Sequence, residues 1–173
     1  MSLFAVDDII QTVKAYEDET KYGAKDDTTF CNFFVRDAVE SLVKQTRPEL
    51  HALANQQFDN LVSSPDWLKQ NFTADPKAVF EKSHAAANSG QLVIVAFRNS
   101  SDNHGHIAIV VPTNAMEDSS AWGTKVPFIA QAGNKNPRNQ PSEKDKSVFS
   151  SLKLSYGFSA AKRSSMEIFF WAS

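Results

Sequence analysis

The chain holds one cysteine, Cys31, in the stretch Thr28-Thr29-Phe30-Cys31-Asn32-Phe33-Phe34-Val35-Arg36-Asp37-Ala38-Val39. Val35, Ala38, Val39 and Leu42 recur at helical spacing, which predicts a buried helix over 31–43 with Cys31 in its first turn. Asp27, Thr28 or Thr29 is expected to cap that helix. Unpaired N–H groups and the positive end of the dipole at such a position favour thiolate over thiol. The polar lead-in suggests a sulfur that faces a cleft. A free cysteine more often packs as a small hydrophobe, so a catalytic role requires the rest of the chain to supply a base.

Four histidines are available: His51, His84, His104 and His106. His51 and His84 fall in helical segments, where surface or core-edge roles suffice. His106 follows Gly105 and opens the apolar strand His106-Ile107-Ala108-Ile109-Val110-Val111. A histidine at the rim of a sheet can meet the end of a helix packed on that sheet, and a thiolate–imidazolium pair would then stabilise both charges. An exposed turn histidine is the plainer alternative. A base also needs an orienting group. Gln131 is the one polar residue in the apolar run 127–133, and Asn134 just beyond it is the other choice; without the strand register the two stay unseparated. Oxyanion stabilisation is expected from the Cys31 backbone N–H, with the Tyr22 hydroxyl in support.

His104 and His106 also permit a metal reading, with His84, Asp102 or Cys31 completing the ligands, but no recognised ligand spacing is present. Asp26, Asp27, Asp37 and Glu40 are explained by capping and helix-face solvation. No cofactor is expected.

The elements that must position these groups follow from periodicity. Residues 3–18 read as an amphipathic helix, with Val6, Ile9, Ile10, Val13 and Tyr16 on one face. The Cys31 helix is expected to end near Thr46-Arg47-Pro48. Short helices are expected over 49–72, and Asp75-Pro76 opens another that closes at Asn88-Ser89-Gly90. Strands are expected over 92–97, 106–111, 127–132, 148–154 and 166–171, with loops over 113–125 and 133–147. Helices first and an antiparallel sheet afterwards is the α+β class.

The 173 residues suit a single domain, 1–173, with one core. A net charge of −2 without a basic block disfavours nucleic acid as a partner. One cysteine excludes an intramolecular disulfide framework. No apolar run is long enough for membrane insertion, and residues 1–8 lack the features of a secretory signal peptide. Synthesis in the cytoplasm is therefore expected, with any export by a route that reads no such signal.

Taken in order, Tyr22-Gly23, the Phe30–Asp37 segment, Ala54-Asn55, Trp67, the Ala85–Ile94 segment and Gly105-His106-Ile107-Ala108-Ile109-Val110-Val111-Pro112 resemble the NlpC-like branch of papain-fold cysteine peptidases. More narrowly, they are similar to the type VI secretion amidase effectors. The Asp before the cysteine and the Ser-Gly after it in the NlpC-like pattern are here Phe30 and Asn32-Phe33. The resemblance implies a papain-like (NlpC-type) fold and a cysteine amidase with Cys31 as nucleophile and His106 as base. It implies cleavage of peptidoglycan stem peptides, at the D-glutamate–meso-diaminopimelate bond first and a cross-link next. It further implies an antibacterial toxin passed by the type VI apparatus into a rival's periplasm, where an immunity protein would block the cleft. The rival expectations are a metal-dependent hydrolase built on His104 and His106, and a non-catalytic module in which Cys31 is merely buried.

Overall fold

The computed structural model describes residues 3–17, 20–22, 30–72, 75–101, 104–132 and 152–172. Its helices are α1 (Val6–Glu17), α2 (Cys31–Val43), α3 (Ala54–Ser63) and α4 (Pro76–Asn88). Its strands are β1 (Trp67–Asn71), β2 (Val93–Phe97), β3 (His106–Val110), β4 (Glu117–Ser119), β5 (Thr124–Val126), β6 (Phe128–Ala130), β7 (Leu152–Lys153) and β8 (Met166–Trp171). The main sheet has the order β1-β8-β2-β3-β6-β7, and every pairing in it is antiparallel. The fold is α+β. Among the described residues no helix is long and apolar enough to cross a membrane.

Both faces of the sheet are covered, which is why β2 reads as a continuous apolar run rather than an alternating one. Ile94, Ala96, Ile107, Ile109 and Phe169 pack with Ile9 of α1, Val35 and Val39 of α2 and Leu61 of α3. The alternate residues Val93, Val95, Ala108, Val110, Ile168 and Phe170 pack with Val79, Phe80 and Ala87 of α4. Helix α4 starts as its sequence predicts: Asp75 accepts a hydrogen bond from the Ala78 N–H at 3.2 Å, and Pro76 stands at the first position.

Several elements differ from expectation. Residues 67–71 form strand β1, not a helix, because Trp67 packs edge-on against Trp171 (5.0 Å between ring centroids) and the segment pairs with β8; this tertiary pairing outweighs local helical preference. The 113–125 stretch contains the β4–β5 hairpin, turned at Gly123 with φ +65°, and Trp122 fastens it by packing on Phe72 and Phe80. Helix α2 ends at Val43, earlier than the proline suggests, because Lys44 adopts a left-handed conformation (φ 57°). The strand expected over 127–132 is ordered as a ladder only at Phe128–Ala130. Of the 148–154 strand, Leu152–Lys153 is observed, Leu154 enters a short 3₁₀ turn, and 148–151 lie outside the described residues. The 133–147 loop lies outside them as well.

Candidate active site

Cys31 is the first residue of α2. The residue before it, Phe30, occupies the capping position without a side-chain hydrogen bond, in place of the expected Asp or Thr cap. Helix hydrogen bonding begins with the Phe34 N–H, which donates to the Phe30 carbonyl at 3.0 Å. The first-turn amides at the sulfur therefore have no intrahelical acceptor, as helix geometry requires. With no cap side chain in competition, the positive end of the dipole is presented where an anionic sulfur would lie. The sulfur does not face an open cleft. Cys31 is 2% exposed and belongs to the apolar cluster that holds Phe34, Val35 and Ala132.

His106, the first residue of β3, is partly buried and hydrogen-bonds the Cys31 sulfur. Strand pairing explains its second partner. Ile109 opposes Ala130 and Val110 opposes Ile129, so the same register places Gln131 across from Ala108. Gln131 is then the diagonal neighbour of His106 on one face, a separation that long side chains bridge. The His106 Nε2–H donates to Gln131 Oε1 at 2.5 Å. A carboxamide oxygen only accepts, so Nε2 carries the proton, and Nδ1 is left as the nitrogen for the sulfur. Gln131 is thus a group at the imidazole; Asn134, the other choice, lies outside the described residues.

Burial lowers the affinity of the His106 imidazole for a proton. The Cys31 charge, the Cys31 hydrogen bond and the Gln131 hydrogen bond together outweigh it, and the pKa stands above the ordinary value of 6.5. By linkage, the imidazolium favours the Cys31 thiolate in return.

Two amides of α3, buried Gln57 and half-buried Asn55, tie the elements that carry the nucleophile and the base. Gln57 of α3, fully buried, donates to the Asn32 carbonyl at 3.1 Å and to the Leu50 carbonyl at 2.5 Å. Asn32 in turn donates to the Ala52 carbonyl at 2.9 Å, so the start of α2 is tied to the approach to α3. Two positions before Gln57, Asn55 makes a closed pair with the backbone of Asn99 in the β2–β3 turn, its Nδ2 donating to the Asn99 carbonyl and its Oδ1 accepting the Asn99 N–H, both at 2.9 Å. The same Asn55 packs against Gly105, where a Cβ would stand 2.5 Å from Asn55 Oδ1 and 2.6 Å from the Phe97 carbonyl oxygen. Glycine is required there by close backbone approach, and His106 follows at once. Helix α3 is thus a spacer, with Gln57 on the Cys31 side and Asn55 on the His106 side. Gln57 escaped the sequence reading, although a glutamine two residues after Asn55 in an otherwise apolar helical face is a visible signal.

The remaining expected residues lie elsewhere. Tyr22 is buried, but its hydroxyl donates to Asp37, six residues beyond Cys31 and about 9 Å along the helix axis. Its ring packs edge-on against Phe34 at 5.8 Å. Burial and the adjacent Asp37 carboxylate push the phenol far above its usual pKa, so this hydroxyl is a tether of its segment to α2. His51 bonds Glu40 at 2.7 Å and His84 contacts Asn88 at 3.1 Å, both away from Cys31. Among the described residues there is no group of three His, Cys, Asp or Glu side chains arranged to hold a metal ion. Asp102, Asp26 and Asp27 lie outside them.

No protein-family model matches this chain, and no curated protein matches it.

Proposed function

We propose that the chain is a papain-like cysteine amidase in which Cys31 is the nucleophile, His106 the general base and acid, and Gln131 the group that orients His106. The observation that carries this reading is the hydrogen-bonded series Cys31–His106–Gln131 at a helix start. In the reaction, the Cys31 thiolate adds to an amide carbonyl carbon. The C–N bond breaks as His106 passes its proton to the leaving amine. A thioester remains on Sγ. Water then attacks it, His106 accepts the proton from that water, and the acid leaves as the thiol is regenerated. Backbone N–H groups at the start of α2 would receive the oxyanion. Because Cys31 is almost fully covered, substrate must displace part of that cover before attack.

The substrate class follows from the resemblance of the sequence to the type VI amidase effectors: peptidoglycan stem peptides, with the D-glutamate–meso-diaminopimelate bond first. The same resemblance supports delivery by the type VI apparatus, action in the periplasm of target cells and inhibition by an immunity protein.

The deciding experiment is digestion of purified Gram-negative peptidoglycan by wild type and by Cys31→Ala, with fragments identified by mass spectrometry. New stem-peptide fragments from wild type alone are expected, and they name the bond. One observation favours a second reading, a binding module that keeps the shape without the chemistry: the burial of Cys31. If folded wild type gives no fragments and its thiol resists iodoacetamide near neutral pH, that second reading prevails.

A further inference from the structure

The short segment after β7 approaches the His106–Gln131 pair from the face of the sheet opposite α2. Leu154 and Phe158 belong to the cluster on the α4 side, whereas Cys31 belongs to the cluster on the other side. The Phe158 ring lies 4.9 Å from the imidazole, centroid to centroid, with the planes inclined by 41°. Phe158 is 2% exposed, and its position is held twice: its N–H donates to the Leu154 carbonyl at 3.0 Å, and its own carbonyl accepts the Trp122 indole N–H at 3.1 Å. Gly157 presses against the pair more closely still. A Cβ there would overlap Gln131 Oε1 and stand 3.2 Å from His106 Nε2.

The backbone of Gly157 does not itself require glycine. Its φ of −99° and ψ of −25° lie in the ordinary right-handed region, open to any residue. What glycine supplies is the space taken by the Gln131 oxygen. Nothing about residues 157 and 158 in the sequence marks this role.

We propose that Gly157 and Phe158 are positioning residues for the base: Gly157 leaves the space in which Gln131 meets His106 Nε2, and Phe158 closes that hydrogen bond off from solvent. The proposal rests on the Cys31–His106 reading and assigns the segment after β7 to the same site. The Gln131 amide ends a flexible side chain, and this segment packs against it where it meets the imidazole.

The test uses the thiolate ultraviolet absorbance of the only cysteine, titrated with pH in the full chain, so no substrate is needed. Wild type, Gln131→Ala, Gly157→Ala, the double variant and His106→Ala are compared, with folding checked by circular dichroism. Gly157→Ala should fold, because its backbone is unstrained and the obstructing atom can swing away. It should move the thiolate midpoint upward, in the direction of Gln131→Ala, and give a several-fold lower thiolate fraction at neutral pH. In the Gln131→Ala background, where that oxygen is gone, the same substitution should add little. Phe158→Leu, which keeps apolar bulk but removes the ring, should speed solvent exchange of the His106 Nε2 proton seen by NMR. A Gly157→Ala profile that overlays wild type, shifts that simply add in the double variant, or an unchanged exchange rate in Phe158→Leu overturns the proposal. A His106→Ala profile that overlays wild type overturns the Cys31–His106 reading beneath it, a separate outcome.

Discussion

Gln131 Oε1 accepts from His106 Nε2 at 2.5 Å, across adjacent strands one diagonal step apart. The bond sets which imidazole nitrogen meets the sulfur. It also adds to the affinity of the ring for a proton, against the effect of burial. Gln131 acts through the base, which it touches directly.

Gln131→Ala should therefore lower the turnover of a peptidoglycan substrate by less than the roughly 10²–10⁴-fold that a positioned general base contributes. The fall should appear in kcat more than in KM, since the amide is 3% exposed and distant from bulk solvent. Steady-state kinetics check this. Complete loss of activity in a folded variant would make Gln131 essential and not an orienting group.

Cys31→Ala should fold, at a cost of about 1–2 kcal/mol for a small cavity in the apolar cluster, and hydrolyse nothing. It should also lower the His106 pKa. With the cysteine gone, burial is opposed only by the Gln131 hydrogen bond. The sign for stability follows. In wild type the folded imidazole holds its proton above the unfolded value of 6.5, so its contribution is fully present below that pH and is lost as pH rises through the folded value. In Cys31→Ala burial, the largest effect, outweighs the Gln131 hydrogen bond, the folded imidazole holds its proton less tightly than the unfolded one, and stability is lost as pH falls instead. NMR titration of His106 in both proteins measures the shift, and equal midpoints would remove the coupling.

Much of this was legible in the chain. The start of α2 at Cys31 followed from 3.6-residue periodicity, and a histidine opening an apolar strand marked His106 as a candidate partner beside the plainer alternative of an exposed turn residue. Gln131 was visible as the one polar residue in the apolar run 127–133, but only the register of Ile109 with Ala130 shows that it lies one diagonal step from His106. Strand β1 was illegible because its strand state comes from Trp171, a hundred residues away in the chain at β8, and not from residues 67–71 themselves. The closure of the sulfur was illegible for a related reason. Polarity of the residues before Cys31 says little about what packs over it from elsewhere.

Asn55→Ala should test the spacer. Two hydrogen bonds to the Asn99 backbone are lost, at about 0.5–1.5 kcal/mol each. The thermal midpoint should fall accordingly. The Gly105–His106 approach should loosen, so hydrolysis should fall further than the stability change explains at a temperature where the variant remains folded. Unaltered activity in a destabilised protein would confine Asn55 to stability.

Tyr22 and Asp37 carry an acid-stability prediction. Burial alone would raise the Asp37 pKa. The Tyr22 hydroxyl, the Arg36 guanidinium at 2.6 Å and the Lys21 ammonium at 3.3 Å reverse that and hold it below its ordinary 3.8. A carboxylate depressed on folding contributes stability that is present above its unfolded pKa and is lost as pH falls through the folded value. Tyr22→Phe removes one donor and should cost about 1.5–3 kcal/mol at neutral pH, the range for a hydrogen bond to a charged group. It should also flatten the decline of the thermal midpoint below the Asp37 reference value of 3.8, because less is then lost on protonation. Catalysis at neutral pH should survive, since the hydroxyl is committed to Asp37, about 9 Å along the helix axis from Cys31. A Tyr22→Phe variant that is fully folded yet inactive would return Tyr22 to the site.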